Sequence, residues 1–183
     1  MAWSLSDGRV LVTGGAGLIG SHLAAALLER GAGVVVADDL SDGARERVPE
    51  GAELVVADLT DPAAVRRAVT ADLDAVFHLA AHTDTNHDEP RRLFEENTAM
   101  TYNLLERMDA VGVDRLAFTS SSTVYGEAPR PTPEDYAPLE PISVYGASQL
   151  GDDGLVSTYA HSYDLQAWPS RLATIAGRPH RGR

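Results

Sequence analysis

The chain of 183 residues is 44% hydrophobic, has a mean hydropathy of -0.16 and contains no cysteine, which fits one soluble globular domain and leaves no disulfide framework or thiolate metal site. A net charge of -12 and a pI near 4.8 argue against nucleic acid or an anionic membrane as partners. No apolar run approaches the roughly 18 residues that span a bilayer, no export signal opens the chain, and a cytoplasmic location is expected. All 15 basic residues are arginine; this acidic, lysine-free composition fits a surface adapted to high salt or GC-rich codon usage, and the charge excess tips toward salt.

Val10, Leu11 and Val12 form an apolar run of the kind found in a strand buried on both faces. Gly14, Gly17 and Gly20 follow, and a helical pattern opens at once. It runs from Leu18 to Arg30, with Ile19, Leu23, Ala26 and Leu27 on its apolar face and Gly31 as its stop. Strand, glycine turn and helix in this order suit a dinucleotide. Glycine takes the tight backbone angles and lets a pyrophosphate approach the main chain, and the N–H groups of Leu18, Ile19 and Gly20 at the helix start then bind it. The alternative is a merely tight strand–helix turn. Gly33 to Ala37 predicts a second buried strand, which ends on Asp38 and Asp39. A carboxylate there meets the hydroxyls of an adenosine ribose and repels a 2′-phosphate, so NAD is favoured over NADP; otherwise Asp38 simply begins a polar loop.

Glu53 to Ala57 predicts a third strand, and Asp61 caps a helix that starts at Pro62 and runs to about Val69. Asp58, beside Leu59 and just past the strand, is placed to reach an adenine. Ala75 to Leu79 is the fourth strand, with Ala80 and Ala81 as small side chains where a cofactor passes. Strands alternating with helices at this spacing predict a doubly wound parallel α/β sheet in three layers. His82, Asp84, His87 and Asp88 lie close together, yet they match no recognised ligand spacing, and no metal is expected. Pro90 starts a long helix to about Ala110, with Leu93, Phe94, Asn97, Met100, Leu104 and Leu105 inward. A buried Asn97 amide must find partners, and either a neighbouring loop or a ligand supplies them. Arg115 to Thr119 is a fifth strand that ends in Ser120, Ser121 and Ser122 at the lip of the ligand crevice. After a proline-rich loop, Leu150 to Ser162 reads as a helix and Leu165 to Leu172 as a sixth strand broken by Pro169. No repeat or linker divides residues 1–183, which read as a single domain.

The segments Thr13–Gly20, Asp38-Asp39-Leu40, Asp58-Leu59, His78–Ala81, Asn97, Ser120–Gly126 and Tyr145–Ser148 resemble, in order, the motifs of the NAD-dependent sugar-nucleotide epimerase/dehydratase family of extended short-chain dehydrogenases. The likeness runs from residue 9 to about 177. It implies a Rossmann domain that binds NAD through the residues above together with Leu79, Asn97, Tyr145 and position 149. It also implies that Tyr145 is the acid/base and that Ser121 shares a hydrogen bond with the sugar hydroxyl. The family's lysine four residues after that tyrosine favours the phenolate and holds the nicotinamide ribose; here the position is Gln149, which donates hydrogen bonds but carries no charge. Thr123 and Val124 stand where 4,6-dehydratases carry an Asp-Glu pair, which favours an epimerase. Thr174 replaces the usual substrate-contacting asparagine. Family members continue past this length into a smaller lobe that clasps the nucleotide sugar, and they dimerise through the helices that here span 90–110 and 150–162, where Gly151 and Gly154 each cost about 1 kcal/mol relative to alanine. The resemblance therefore implies a UDP-glucose 4-epimerase-like enzyme acting on a nucleotide sugar, impaired by Gln149 and the missing lobe. The alternatives are a non-catalytic NAD-binding module and a nucleotide-sugar dehydratase.

Overall fold

The computed structural model describes residues 5–83 and 88–177. In chain order it contains β1 (Arg9–Thr13), α1 (Leu18–Glu29), β2 (Gly33–Asp38), β3 (Glu53–Val56), α2 (Pro62–Ala68), β4 (Ala75–His78), α3 (Pro90–Val111), β5 (Arg115–Ser121), α4 (Val144–Ser162) and β6 (Gln166–Leu172). The strands form one parallel sheet in the order β3–β2–β1–β4–β5–β6. The order reverses between β1 and β4, and the carboxyl ends of strands beside such a switch point open a ligand crevice.

Alternation along the strands builds the layers. Val10, Val12, Val34 and Val36 pack with Ala24 and Leu27 of α1. Their neighbours Leu11, Val35 and Ala37 turn the other way, into a larger cluster with Val65 of α2, Leu104 and Met108 of α3, and Val156 and Tyr159 of α4. Central strands buried on both faces need apolar residues throughout, which is why β1 and β2 read as unbroken hydrophobic runs. The edge strands β3 and β6 are half exposed. Local signals agree with the elements they begin: Asp61 Oδ1 accepts from the Ala63 N–H at 2.8 Å and Pro62 opens α2.

Four details differ from the sequence expectation. In α1 the buried positions are Gly20, Ser21, Ala24 and Leu27, and Ile19 is 36% exposed, because the glycine-bearing face lies against the turn. In α3 the buried positions are Leu93, Asn97, Met100, Thr101, Leu104, Leu105 and Met108, and Phe94 is 38% exposed: it shares their side of the helix but lies near its first turn. Strand β6 is continuous through Pro169, which is in register with Phe118, and an edge position tolerates the missing donor. Helix α4 starts at Val144 rather than Leu150, because Ser143 Oγ caps it by accepting from the Gly146 N–H at 3.0 Å. That last difference matters most, since it puts Tyr145 and Gln149 on one helix. Among the described residues no helix is long and apolar enough to cross a membrane.

Candidate active site

One cavity of about 530 Å3 lies over the carboxyl ends of the strands. At its centre is the turn between β1 and α1. Gly14 has φ of +64°, and a Cβ there would stand 2.9 Å from the Ala80 backbone nitrogen, so the turn closes on the segment after β4 only with glycine. A Cβ on Gly20 would collide with the Gly14 carbonyl. At Gly17 the only near atom would be the Gly14 carbonyl oxygen at 3.2 Å, and the space is otherwise open. Gly17 is also the N-cap of α1 and supplies no capping side chain. The first-turn amides of Leu18, Ile19 and Gly20 have no intrahelical partner, and all three residues line the cavity.

At one end, Asp38 leaves β2 nearly buried. Its Oδ2 accepts from the Ala16 N–H and its Oδ1 from the Leu40 N–H, both at 2.9 Å. Gly43 lies against this carboxylate, where a Cβ would sit 2.5 Å from Oδ1. Asp39 also lines the cavity, and its Oδ1 is engaged by the Ser41 N–H at 2.9 Å and hydroxyl at 2.7 Å. Ala57 and Leu59 form a wall, but Asp58 does not line the cavity: it is exposed, and its Oδ1 accepts from the Thr60 N–H at 2.8 Å and hydroxyl at 2.7 Å. A local Asx turn uses the group that the sequence assigns to adenine. Gly43 and Arg47 line the same end and were not singled out by the sequence; only their place in a turn-rich loop after Asp38 hinted at them.

Leu79, Ala80 and Ala81 form the floor. Asn97 does not reach the cavity. Its Oδ1 accepts from the His82 N–H at 2.8 Å, and its Nδ2 donates to the His82 carbonyl at 3.0 Å and to Ser148 Oγ at 3.1 Å. Of the two expectations for Asn97, the neighbouring loop is the one realised. Among the described residues no group of three His, Asp or Glu is placed to hold a metal ion; Asp84 and His87 lie outside those residues.

At the far end, β5 delivers Ser121 and α4 delivers Tyr145, and both line the cavity. Ser121 Oγ accepts from the Thr123 N–H at 3.2 Å and from the Thr123 hydroxyl at 2.9 Å, which leaves its own proton for the Tyr145 oxygen to which it is hydrogen-bonded. Burial pushes the Tyr145 phenol above its usual range, the Ser121 hydrogen bond works against that, and the Asp152 carboxylate adds to the rise. Thr123 thus acts on Ser121 and does not line the cavity. Thr174 is exposed, while Leu172, Ala173 and Ile175 around it line the wall.

Gln149 departs furthest from expectation. It is 1% exposed and lines no part of the cavity; its Nε2 donates to Asp152 Oδ2 at 3.4 Å. Asp152, also 1% exposed, went unremarked in the sequence as a site residue. Its signal was positional: Ser148, Gln149, Asp152, Val156 and Tyr159 follow the spacing of an inward helical face, and a charge on such a face is unusual. Nearby, Arg171 of β6 ties the elements together. Its Nε lies 3.2 Å from Asp153 Oδ2, its Nη1 donates to the Tyr125 hydroxyl at 3.1 Å, and its guanidinium sits 5.1 Å from the centre of the Tyr125 ring.

Comparison with known proteins matches residues 10–183 to the NAD dependent epimerase/dehydratase family. The chain is 37% identical over 174 residues to the UDP-glucose 4-epimerase of Corynebacterium glutamicum, covering 92% of this chain and 52% of that protein. With the Streptomyces lividans UDP-glucose 4-epimerase it shares 37% identity over 175 residues, 93% of this chain and 53% of the other. The structure of the Thermus thermophilus UDP-glucose 4-epimerase in complex with NAD superposes with a TM-score of 0.84 at 40% identity, over 89% of this chain and 54% of that one. The Thermotoga maritima enzyme with UDP-glucose gives 0.88 at 34% identity, over 93% and 57%. The chain thus spans about half the length of the relatives it matches.

Proposed function

Because this chain belongs to the NAD-dependent epimerase/dehydratase family, we propose that its crevice binds NAD and that Ser121 and Tyr145 form the reacting end of a UDP-glucose 4-epimerase-like site whose proton transfer is impaired at position 149. The observation that carries this reading is the continuity of one cavity from the uncapped turn of α1, past Asp38, to Ser121 and Tyr145.

The residues present fit the cofactor. The amides of Leu18, Ile19 and Gly20, with open space over Gly17, suit a pyrophosphate. Asp38 and Asp39 suit the adenosine ribose and disfavour a 2′-phosphate. Leu59, on the cavity wall near Asp38, suits an adenine, and Ala80 and Ala81 offer no bulk to obstruct the nicotinamide half. Bound there, NAD supplies a hydride acceptor for a sugar carbon.

Moving the proton is left to the chain's own side chains. Ser121, held by two hydrogen bonds from Thr123, presents its hydroxyl to the Tyr145 oxygen, and both groups are positioned to meet a sugar hydroxyl. A base works best when its pKa lies near the working pH. Burial drives Tyr145 the other way, and the neutral Gln149 does not counter it. No arginine lies between residues 131 and 170 to replace the missing charge. Thr123 and Val124 in place of an acidic pair support an epimerase over a dehydratase.

A second reading, an NAD-binding module without efficient turnover, is favoured by two observations: the raised Tyr145 phenol and the buried Gln149 amide. Interconversion of UDP-galactose and UDP-glucose at saturating NAD separates the two. We expect a rate reduced by roughly 10²–10⁴-fold relative to a full-length family member, the span that acid–base catalysis contributes. An ordinary rate would remove the impairment from the account.

A further inference from the structure

Beneath the crevice lies a buried polar chain that the proposed chemistry does not use, and it runs in one donor sense. The N–H groups of Leu79 and Ala80 both donate to Thr13 Oγ1 at 3.1 Å. The Thr13 hydroxyl keeps its own proton to give, and it lies 2.7 Å from His78 Nδ1. With Nδ1 accepting, a neutral His78 carries its proton on Nε2, which lies 3.2 Å from Thr101 Oγ1. Thr101 in turn donates to the Asp152 carboxyl. The chain ends there.

Asp152 and Gln149 are then left with one hydrogen bond between them. Asp152 Oδ1 and Gln149 Oε1 are both buried without a partner. Buried oxygens of this kind are normally satisfied. An amide and a carboxyl side by side satisfy each other when the carboxyl holds a proton, the O–H donating to one oxygen and the N–H to the other. Burial, with help from the Asp153 charge and against the Thr101 hydrogen bond, pushes Asp152 up to about 8, consistent with a protonated group at neutral pH.

Among the described residues no cation acts on Asp152 to offset this. On α4, Tyr145 and Asp153 are the titratable groups that act on it. The buried face of α3 is uncharged. From β4, the neutral His78 stands behind Thr101. From β6, Arg171 is engaged by Asp153 at 3.2 Å.

We propose that Asp152 is a positioning residue for Gln149: it draws the amide into the interior between α3 and α4, away from the crevice, and in its ionised form it opposes the Tyr145 phenolate. The consequence for position 149 is specific. A cation placed there pairs with Asp152 and does not serve Tyr145. This inference rests on the reading of Tyr145 as the acid/base, and its test needs no cofactor, so a failure to bind NAD and a failure of this proposal are separate results.

The test reads the ionised fraction of Tyr145 at about pH 10.5, as the ultraviolet absorbance difference between each protein and its Tyr145→Phe counterpart. The proteins are the unaltered chain, Asp152→Asn, Gln149→Lys and the double variant. Asp152→Asn keeps the shape and removes the charge; it is expected to raise the ionised fraction about threefold, corresponding to a downward shift of roughly half a pKa unit. Gln149→Lys alone is expected to change it little, and the double variant to exceed the sum of the two single changes. Asp152→Ser, a smaller neutral replacement, is expected to shift in the same direction as Asp152→Asn. An unchanged fraction in both neutral variants overturns the proposal. So does a Gln149→Lys protein that ionises Tyr145 as fully alone as in the double variant.

Discussion

The side-chain amide of Asn97 clasps the backbone of His82 at both ends, accepting from its N–H at 2.8 Å and donating to its carbonyl at 3.0 Å. Through this clasp a residue in the middle of α3 fixes the loop that follows β4, and so fixes one wall of the cavity. Asn97→Ala removes both partners from His82 and one from Ser148. Leaving such groups unsatisfied costs about 1–3 kcal/mol each when they stay buried. A loss of about 2–4 kcal/mol in denaturant-induced unfolding is expected, with weaker cofactor binding. A loss under about 0.5 kcal/mol would show that water replaces the amide at little cost.

The two later glycines of the turn separate binding from folding. An alanine at Gly17 meets only the Gly14 carbonyl oxygen, at 3.2 Å, and otherwise points into open space. Gly17→Ala should lower the thermal midpoint far less than a change at Gly20, while its methyl fills the place proposed for the pyrophosphate and lowers NAD affinity at least tenfold. At Gly20 the added methyl collides with the backbone of Gly14 and comes within 2.7 Å of Gly15 Cα. Gly20→Ala should therefore destabilise the fold by several kcal/mol. Equal melting temperatures for the two variants would contradict this division.

Stability should carry two opposing pH signatures. Burial lowers His78 from 6.5 to about 4 and is the main cause that raises Asp152 from 3.8 to about 8. Between these limits the folded chain keeps His78 neutral below pH 6.5, where the unfolded chain binds a proton, so the His78 contribution falls as pH drops from 6.5 toward 4. The folded chain also holds a proton on Asp152 that the unfolded chain has released, so the Asp152 contribution falls as pH rises through the whole interval toward 8. The stability of Asp152→Asn relative to the unaltered chain should increase from pH 4 to pH 8, by on the order of a few kcal/mol. For His78→Gln the relative gain should instead appear between pH 6.5 and 4. Urea denaturation at several pH values measures both. A pH-independent difference for Asp152→Asn would mean that its carboxyl is not perturbed by burial.

Much of this architecture is legible in the order of the amino acids. Apolar runs such as Val10–Val12 and Val34–Val36 announce strands buried on both faces, and Asp61-Pro62 announces a helix start, because each is a local signal with a local cause. The cavity residues set by the glycine turn and by Asp38 are legible for the same reason. What stays hidden depends on where side chains turn after folding. Asp58 sits at the expected place, yet Thr60 takes up one of its carboxylate oxygens. Gln149 has the expected spacing from Tyr145, but its direction is set by Asp152, one turn further along α4. The start of α4 is hidden because the Ser143 cap lies at the end of a proline-rich loop.

The central claim is that this crevice is an NAD site, and calorimetric titration of the chain with NAD, and in parallel with NADP, tests it most directly. Saturable binding of one NAD per chain, at least tenfold tighter than NADP and weakened in Gly17→Ala, is the predicted result. No detectable binding of NAD, or NADP bound as tightly, would contradict the assignment of the glycine turn and Asp38 and leave only the fold standing.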